Sequence, residues 1–223
     1  MENSEVFKVP KKDSRIYKCA RMIILPFFKL FYFLKIKKYP EFPTGRCIIC
    51  ANHSALKDPL LLAFIQKRQV YFMAKSELFE NKFLAWLIKL VGAFPVKRNK
   101  SDVKSVSYAE ELLENEKIVG IFIEGTRSKD GNLLPPKSGA VMIAYKTNTP
   151  IVPVSISQKS GKIMRLFRKT TVNVGKPLYP KDLMINEGRP SEYRIASRLV
   201  MQKIKELRQE DVKIPQCLEA ENS

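Results

Sequence analysis

His53 is the only histidine in the 223-residue sequence. That excludes a two-histidine metal site and leaves one side chain whose ordinary pKa suits proton transfer near neutral pH. It stands in Asn52-His53-Ser54, and Asp58 follows five residues after it. A carboxylate at that spacing can accept a hydrogen bond from one imidazole nitrogen, fix the tautomer and leave the other nitrogen free to take a proton. Asp58 also immediately precedes Pro59, where an aspartate commonly caps a helix whose first residue is proline. The spacing allows both roles, and a lone histidine can equally be a packed core residue. No Gly-x-Ser-x-Gly elbow accompanies the pair, so a serine hydrolase would lack its nucleophile. Ser54, next to His53 in the chain, is awkwardly placed to reach that ring. Attack by a substrate hydroxyl that His53 deprotonates is the simplest remaining chemistry.

Two further clusters carry cations. Gly92-Ala-Phe-Pro-Val-Lys-Arg98 is strand-like and ends on Arg98, a fork of donors suited to phosphate; many strands also end in a solvated arginine. Ile121-Phe-Ile-Glu124-Gly125-Thr126-Arg127-Ser128 runs from an apolar strand into a carboxylate, a glycine and an arginine. Gly125 permits a tight turn with exposed backbone N–H groups, and Arg127 sets a fixed charge beside them, a combination suited to phosphate or an oxyanion. Lys137-Ser138-Gly139 adds a cation at the start of a helix. A β-turn followed by a capped helix would give the same pattern.

These residues need elements that end at one place. Short apolar runs predict strands over 46–51, 70–74, 94–97, 118–123, 151–156 and 171–174. Helical patterns fall over 59–66, 81–91, 102–116, 139–147 and 191–209. The alternation predicts an α/β domain built on a single mixed sheet flanked by helices, with His53 where the first strand ends and a helix begins. Pro153 near the start of its strand suggests an edge position or one forgone ladder bond. Before the domain, residues 16–36 are rich in large apolar side chains broken by Lys18, Arg21, Lys29 and Lys35. The longest uncharged run is far too short for the ~20 residues that span a bilayer. An amphipathic helix fits, its cations on one side and Ile24, Phe27, Phe28, Phe31 and Leu34 facing lipid or protein, kinked or split at Pro26. The expected organisation is an N-terminal amphipathic helical membrane anchor and linker over residues 1–45, the α/β domain over 46–212 and a tail over 213–223.

Composition narrows the partners. Lys and Arg number 40 against 22 Asp and Glu, a net charge of +18, and no carboxylate occurs from Gly131 to Lys181. Such an excess calls for an anionic partner: anionic lipid, a phosphorylated substrate or nucleic acid. The basic-aromatic stretch from Lys162 to Lys169 is what a nucleic-acid-binding module would use, but that reading leaves the His53/Asp58 pair and the apolar N-terminus unexplained. Four cysteines make no disulfide framework and indicate a reducing, cytosol-facing location. Cys47 and Cys50 are spaced like half a zinc site, yet no second pair follows and their run is apolar, which favours packing.

Taken in order, Asn52-His53-(four residues)-Asp58, Gly92-x-Phe94-Pro95-x-x-Arg98, Phe122-x-Glu124-Gly125-Thr126-Arg127-Ser128 and Ile151-Val152-Pro153-Val154 resemble the glycerolipid acyltransferase family typified by lysophosphatidic acid acyltransferases. The resemblance runs from His53 to Ile156 with no departure at the motif positions. It implies that His53 deprotonates the acceptor hydroxyl and Asp58 orients it. Arg98 and Arg127 would bind the acceptor phosphate, Glu124, Gly125 and Thr126 would line the acceptor site, and Lys137 would add charge to it. It also implies a lysophosphatidic acid-type acceptor, acyl-CoA or acyl-carrier protein as the thioester donor, and no metal or other cofactor. An N-terminal anchor would hold the enzyme on the anionic cytoplasmic face of the cell membrane, as a peripheral or monotopic protein without nucleic acid.

Overall fold

The computed structural model describes residues 9–10, 15–39, 41–90, 92–96, 103–158 and 167–213. Seven strands form one sheet in the order β1-β7-β6-β2-β5-β3-β4: β1 Lys35–Lys38, β2 Cys47–Ala51, β3 Val70–Lys75, β4 Ala93–Val96, β5 Ile118–Phe122, β6 Ile151–Gln158 and β7 Thr170–Val174. Every neighbouring pair is parallel except β6 with β7, so the expected mixed sheet is present. The helices are α1 Arg15–Phe31, α2 Asp58–Ile65, α3 Lys82–Leu90, α4 Val103–Glu114, α5 Gly139–Lys146 and α6 Pro190–Lys213.

Parallel central strands need cover on both faces, because every strand side chain then meets a core. One core joins the sheet to α1 and α2 through Tyr17, Phe28, Leu61, Leu62, Ile65, Val154 and Val172. The other joins it to α4, α5 and α6 through Leu112, Leu113, Val141, Ile143, Val200 and Ile204. The helix patterns explain which sides turn inward. On α4, Ser105, Tyr108, Ala109, Leu112 and Leu113 are buried, the three- and four-residue recurrence of one helical face. On α6, Ala196, Val200 and Ile204 form the same kind of row. β2 lies between β5 and β6 and is wholly buried. Cys47 belongs to the first core and Cys50 to the second, because residues three apart on a strand point to opposite faces. They therefore cannot converge on a metal, and burial pushes the Cys47 thiol up to about 12 and the Cys50 thiol higher still above its ordinary value.

Several expectations are corrected. β6 is an interior strand, so Pro153, opposite Cys50, marks a forgone ladder bond rather than an edge. α1 passes Pro26 as one helix and stops at Phe31, short of Ile36; Phe33 has φ 42°, a left-handed conformation that a helix cannot continue. Residues 35–38, which fall inside the expected anchor and linker, instead pair with β7 as an edge strand. Lysines at three of its four positions suit an edge, where charge discourages pairing with another chain. The sheet thus begins before the boundary drawn at residue 45. α1 also has two apolar sides. Tyr17, Phe28 and Tyr32 are buried, with Ile24 and Phe31 packed against the core, whereas Met22, Ile23, Phe27, Leu30 and Phe33 are exposed. Of the residues expected to face lipid or protein, Ile24, Phe28, Phe31 and Leu34 face the protein and Phe27 lies on the outer row.

Candidate active site

β2 and β5 end side by side, Ala51 opposite Phe122, and the chain leaves both strands at the same edge of the sheet. The two loops are then joined by main-chain bonds: the Ile123 amide donates to the Ala51 carbonyl at 3.0 Å, and the Ser128 amide to the His53 carbonyl at 2.8 Å. A third segment joins them where the Lys137 amide donates to the Ile123 carbonyl at 2.7 Å. Residues 52–58, 122–128 and 134–137 thus form one cluster. Arg98 lies outside the described residues.

Asn52 fixes the exit from β2. Its amide group donates to the Ile156 carbonyl at 3.0 Å and accepts from the Ile156 N–H at 2.8 Å, a two-bond clamp on β6 inside the fold. His53 comes next. Its ring stacks on Phe122, centroids 4.0 Å apart and planes 17° apart, and its Nδ1 lies 2.9 Å from Oδ2 of Asp58. Only 8% of the His53 side chain is accessible and none of the Asp58 side chain. Nδ1 facing a carboxylate carries the proton, which leaves Nε2 as the basic nitrogen; among the described residues Nε2 has no hydrogen-bond partner.

Asp58 is the first residue of α2, and its carboxylate turns back toward the loop rather than forward along the helix. Oδ2 accepts from the amides of Ser54 at 2.7 Å and Ala55 at 2.8 Å as well as from His53. The residue preceding α2, Lys57, makes no side-chain cap, and Pro59 occupies the first turn. The carboxylate therefore organises the loop and the imidazole together, and the capping alternative is replaced by this arrangement. Oδ1 is buried and accepts no hydrogen bond among the described residues.

Glu124 is 2% exposed, and its two oxygens accept from the His53 amide at 3.0 Å and the Leu134 amide at 3.2 Å. It is a strut between the histidine loop and the segment leading to Lys137. Burial raises its carboxyl above the ordinary value, against the pull of those two amides. Gly125 forms the turn that follows: φ is +68°, a Cβ there would stand 3.2 Å from Cγ of Lys137, and its amide donates to Phe122 at 3.0 Å. That N–H is therefore committed rather than free for an anion. Thr126, Arg127 and Lys137 are exposed. The loop carrying Arg127 is shaped by Asp130, which accepts from the Ser128 hydroxyl at 2.9 Å and the Asn132 amide at 3.0 Å; these bonds hold its carboxyl below the ordinary value.

Sequence reasoning placed His53, Asp58, Gly125, Thr126, Arg127 and Lys137 in one neighbourhood. It missed the clamp on β6, the ring beneath the imidazole and the buried strut. Asn52 was adjacent to the histidine in the motif, and Phe122 stood two residues before Glu124, but nothing in their types announced these contacts. The apolar run of α2 is packed in the core at Leu61, Leu62 and Ile65. A cavity of about 460 Å³ lies between α6 and the β1–β7 edge, lined by Lys37, Tyr39, Asn173, Lys176, Lys203 and Leu207 among others; none of the clustered residues borders it.

An α/β sheet with a carboxylate-held histidine at the carboxyl ends of its parallel strands places this molecule among enzymes that work at the sheet's crest. The chain belongs to the Acyltransferase family, which it matches over residues 34–157, a span holding the whole cluster. It is 36% identical over 164 residues to a Bacillus subtilis 1-acyl-sn-glycerol-3-phosphate acyltransferase, covering 72% of this chain and 80% of that protein. A chloroplastic enzyme of the same name from Brassica napus is 33% identical over 184 residues, 76% of this chain and 52% of that one, so the chain spans about half its length. The crystal structure of the 1-acyl-sn-glycerophosphate (LPA) acyltransferase PlsC from Thermotoga maritima is similar with a TM-score of 0.62 and 27% identity, covering 90% of this chain and 84% of that one.

Proposed function

We propose that this acyltransferase moves a fatty acyl group from the thioester of acyl-CoA or acyl-carrier protein to the free hydroxyl of 1-acylglycerol 3-phosphate, giving phosphatidic acid. The observation that carries the mechanism is the His53 Nδ1 to Asp58 Oδ2 bond of 2.9 Å, with Nε2 left as the base. Nε2 takes the proton of the acceptor hydroxyl as its oxygen attacks the thioester carbonyl. The C–S bond then breaks, and the imidazolium returns the proton to the departing thiolate. The Asp58 carboxylate stabilises the positive ring in between. Base assistance of this kind contributes on the order of 10²–10⁴-fold to the rate.

The relatives named above support the choice of acceptor by their names. Arg127 and Lys137, exposed on loops bonded to the histidine loop, suit its phosphate, which a diffusing hydroxyl compound without an anion would not need. The outer row of α1 supports a membrane-surface location: Met22, Ile23 and Leu30 are 73%, 74% and 67% exposed, flanked by Lys18 and Lys29. No helix of the described residues is long and apolar enough to cross a membrane, so α1 would lie in the lipid boundary of a cytoplasmic membrane face with its cations toward anionic headgroups.

The test is a thiol-release assay crossing acyl-CoA and acyl-carrier donors with glycerol 3-phosphate, lysophosphatidic acid and neutral lysolipids. Thiol release coupled to phosphatidic acid formation, selective for the monoacyl phosphate, is expected. Release that is equal with a phosphate-free lysolipid would contradict the acceptor assignment. Tight, salt-dependent RNA binding without thiol release would favour the nucleic-acid reading.

A further inference from the structure

α1 and α2 run side by side in opposite directions, and a buried tyrosine joins them at each end. Near the start of α1, the hydroxyl of Tyr17, a residue with no exposed surface, reaches the Ala63 carbonyl and lies 3.1 Å from that of Arg68. Ala63 lies in the last turn of α2 and Arg68 three residues beyond its end. Just past the other end of α1, Tyr32, 1% exposed, accepts a hydrogen bond from Nζ of Lys57, and the same ammonium lies 5.1 Å from its ring centroid. Lys57 is the residue immediately before Asp58, and the Leu60 and Leu61 amides donate to its carbonyl at 3.0 and 3.2 Å. The end of α1 is further pinned to β7 by the Thr170 amide, 3.0 Å from the Tyr32 carbonyl.

Both rings belong to the core with Phe28, Leu61 and Ile65. Each hydroxyl adds a directional bond, Tyr17 to the Ala63 carbonyl and Tyr32 to the Lys57 ammonium. The helix so held carries the exposed row of Met22, Ile23, Phe27 and Leu30 on its opposite side, and the helix holding it begins with the carboxylate that orients His53. Whatever depth the outer row takes in a lipid boundary is therefore transmitted, through two fixed points, to the histidine loop.

We propose that Tyr17, Tyr32 and Lys57 are positioning residues that hold α1 in register with α2 and so set the height of the His53–Asp58 pair above a lipid surface. The inference rests on the functional reading above. Its consequence is confined to acceptors embedded in a bilayer. An acceptor free in water approaches the site from any height, whereas the hydroxyl of an embedded lysolipid lies at a depth fixed by its headgroup. A displacement of about 1 Å at a reacting centre can cost on the order of 10²-fold.

The experiment compares wild type with the Tyr17→Phe/Tyr32→Phe double variant, which removes two hydroxyls and leaves the rings. Thiol release is measured with long-chain lysophosphatidic acid in anionic phosphatidylglycerol vesicles and with a short-chain acceptor kept below its micellar concentration. Vesicle sedimentation and thermal unfolding are recorded alongside. The expected result is turnover within about twofold of wild type on the soluble acceptor, unchanged sedimentation, and a loss of roughly 10- to 100-fold on the embedded one. Lys57→Met removes the Tyr32 contact from the solvent side and should give the same selective loss even if the double variant does not fold. Equal losses on both acceptors, or none on either, would overturn the inference while leaving the functional reading intact. Wild type that turns over neither acceptor would overturn that reading, and the inference with it.

Discussion

Replacing Asp58 by Asn separates an orienting carboxylate from a merely structural one. Oδ2 accepts three hydrogen bonds, from His53, Ser54 and Ala55, at 2.7–2.9 Å. A bond to a charged acceptor contributes ~1.5–3 kcal/mol and one to a neutral acceptor ~0.5–1.5, so the three together weaken by about 3 kcal/mol. The asparagine –NH₂ would then occupy the place of Oδ1, which is buried with no partner among the described residues, and an orphaned donor costs a further ~1–3 kcal/mol. Turning the amide over is worse, since it would aim two N–H groups at three donors. The sum, about 4–6 kcal/mol before any relaxation, is a large part of the ~5–15 kcal/mol that holds a domain together. Urea unfolding should therefore show a much lower midpoint. Turnover per folded molecule should fall by ~10²–10⁴-fold, the full worth of base assistance, because Nδ1 has lost the charge that stabilises the imidazolium. An Asn variant that is destabilised as calculated but retains turnover within about tenfold of wild type would refute the orienting role and leave Asp58 as a structural residue alone.

Glu124→Gln tests the strut through pH. Because burial raises the Glu124 carboxyl, the folded state binds its proton more readily than the unfolded chain. Its contribution is then most favourable below the unfolded value of about 4.5 and declines as pH rises through the folded value. The stability of wild type relative to the Gln variant should accordingly fall as pH is raised from 4 toward neutrality; a difference independent of pH would show that the carboxyl is not raised. Arg127→Ala should increase the apparent KM for lysophosphatidic acid several-fold more than that for the thioester, and equal changes would remove Arg127 from phosphate recognition.

How much of this was legible in the sequence depended on how local the cause was. The six strands expected from apolar runs and the α4 and α6 faces are set by side-chain period and burial, which the sequence carries directly. β1 is set by pairing with residues 171–174, and Lys-Ile-Lys-Lys has no apolar signal to announce it. The α1 pattern was legible as amphipathic, but apolar residues line two sides of that helix, and only packing against α2 and β7 decides which turns inward. At the site, the five-residue step from His53 to Asp58 gave the contact but not the carboxylate's direction, which follows from the Ser54 and Ala55 amides. Glu124 was read from its motif as a lining residue, and its partners are main-chain N–H groups at 53 and 134 that no residue type encodes.

The central claim is that one imidazole moves the proton. His53→Ala, checked for a native unfolding midpoint, should lose thiol release from acyl-CoA with lysophosphatidic acid by at least ~10²-fold at saturating acceptor. Turnover at the wild-type rate in a folded His53→Ala protein would contradict it.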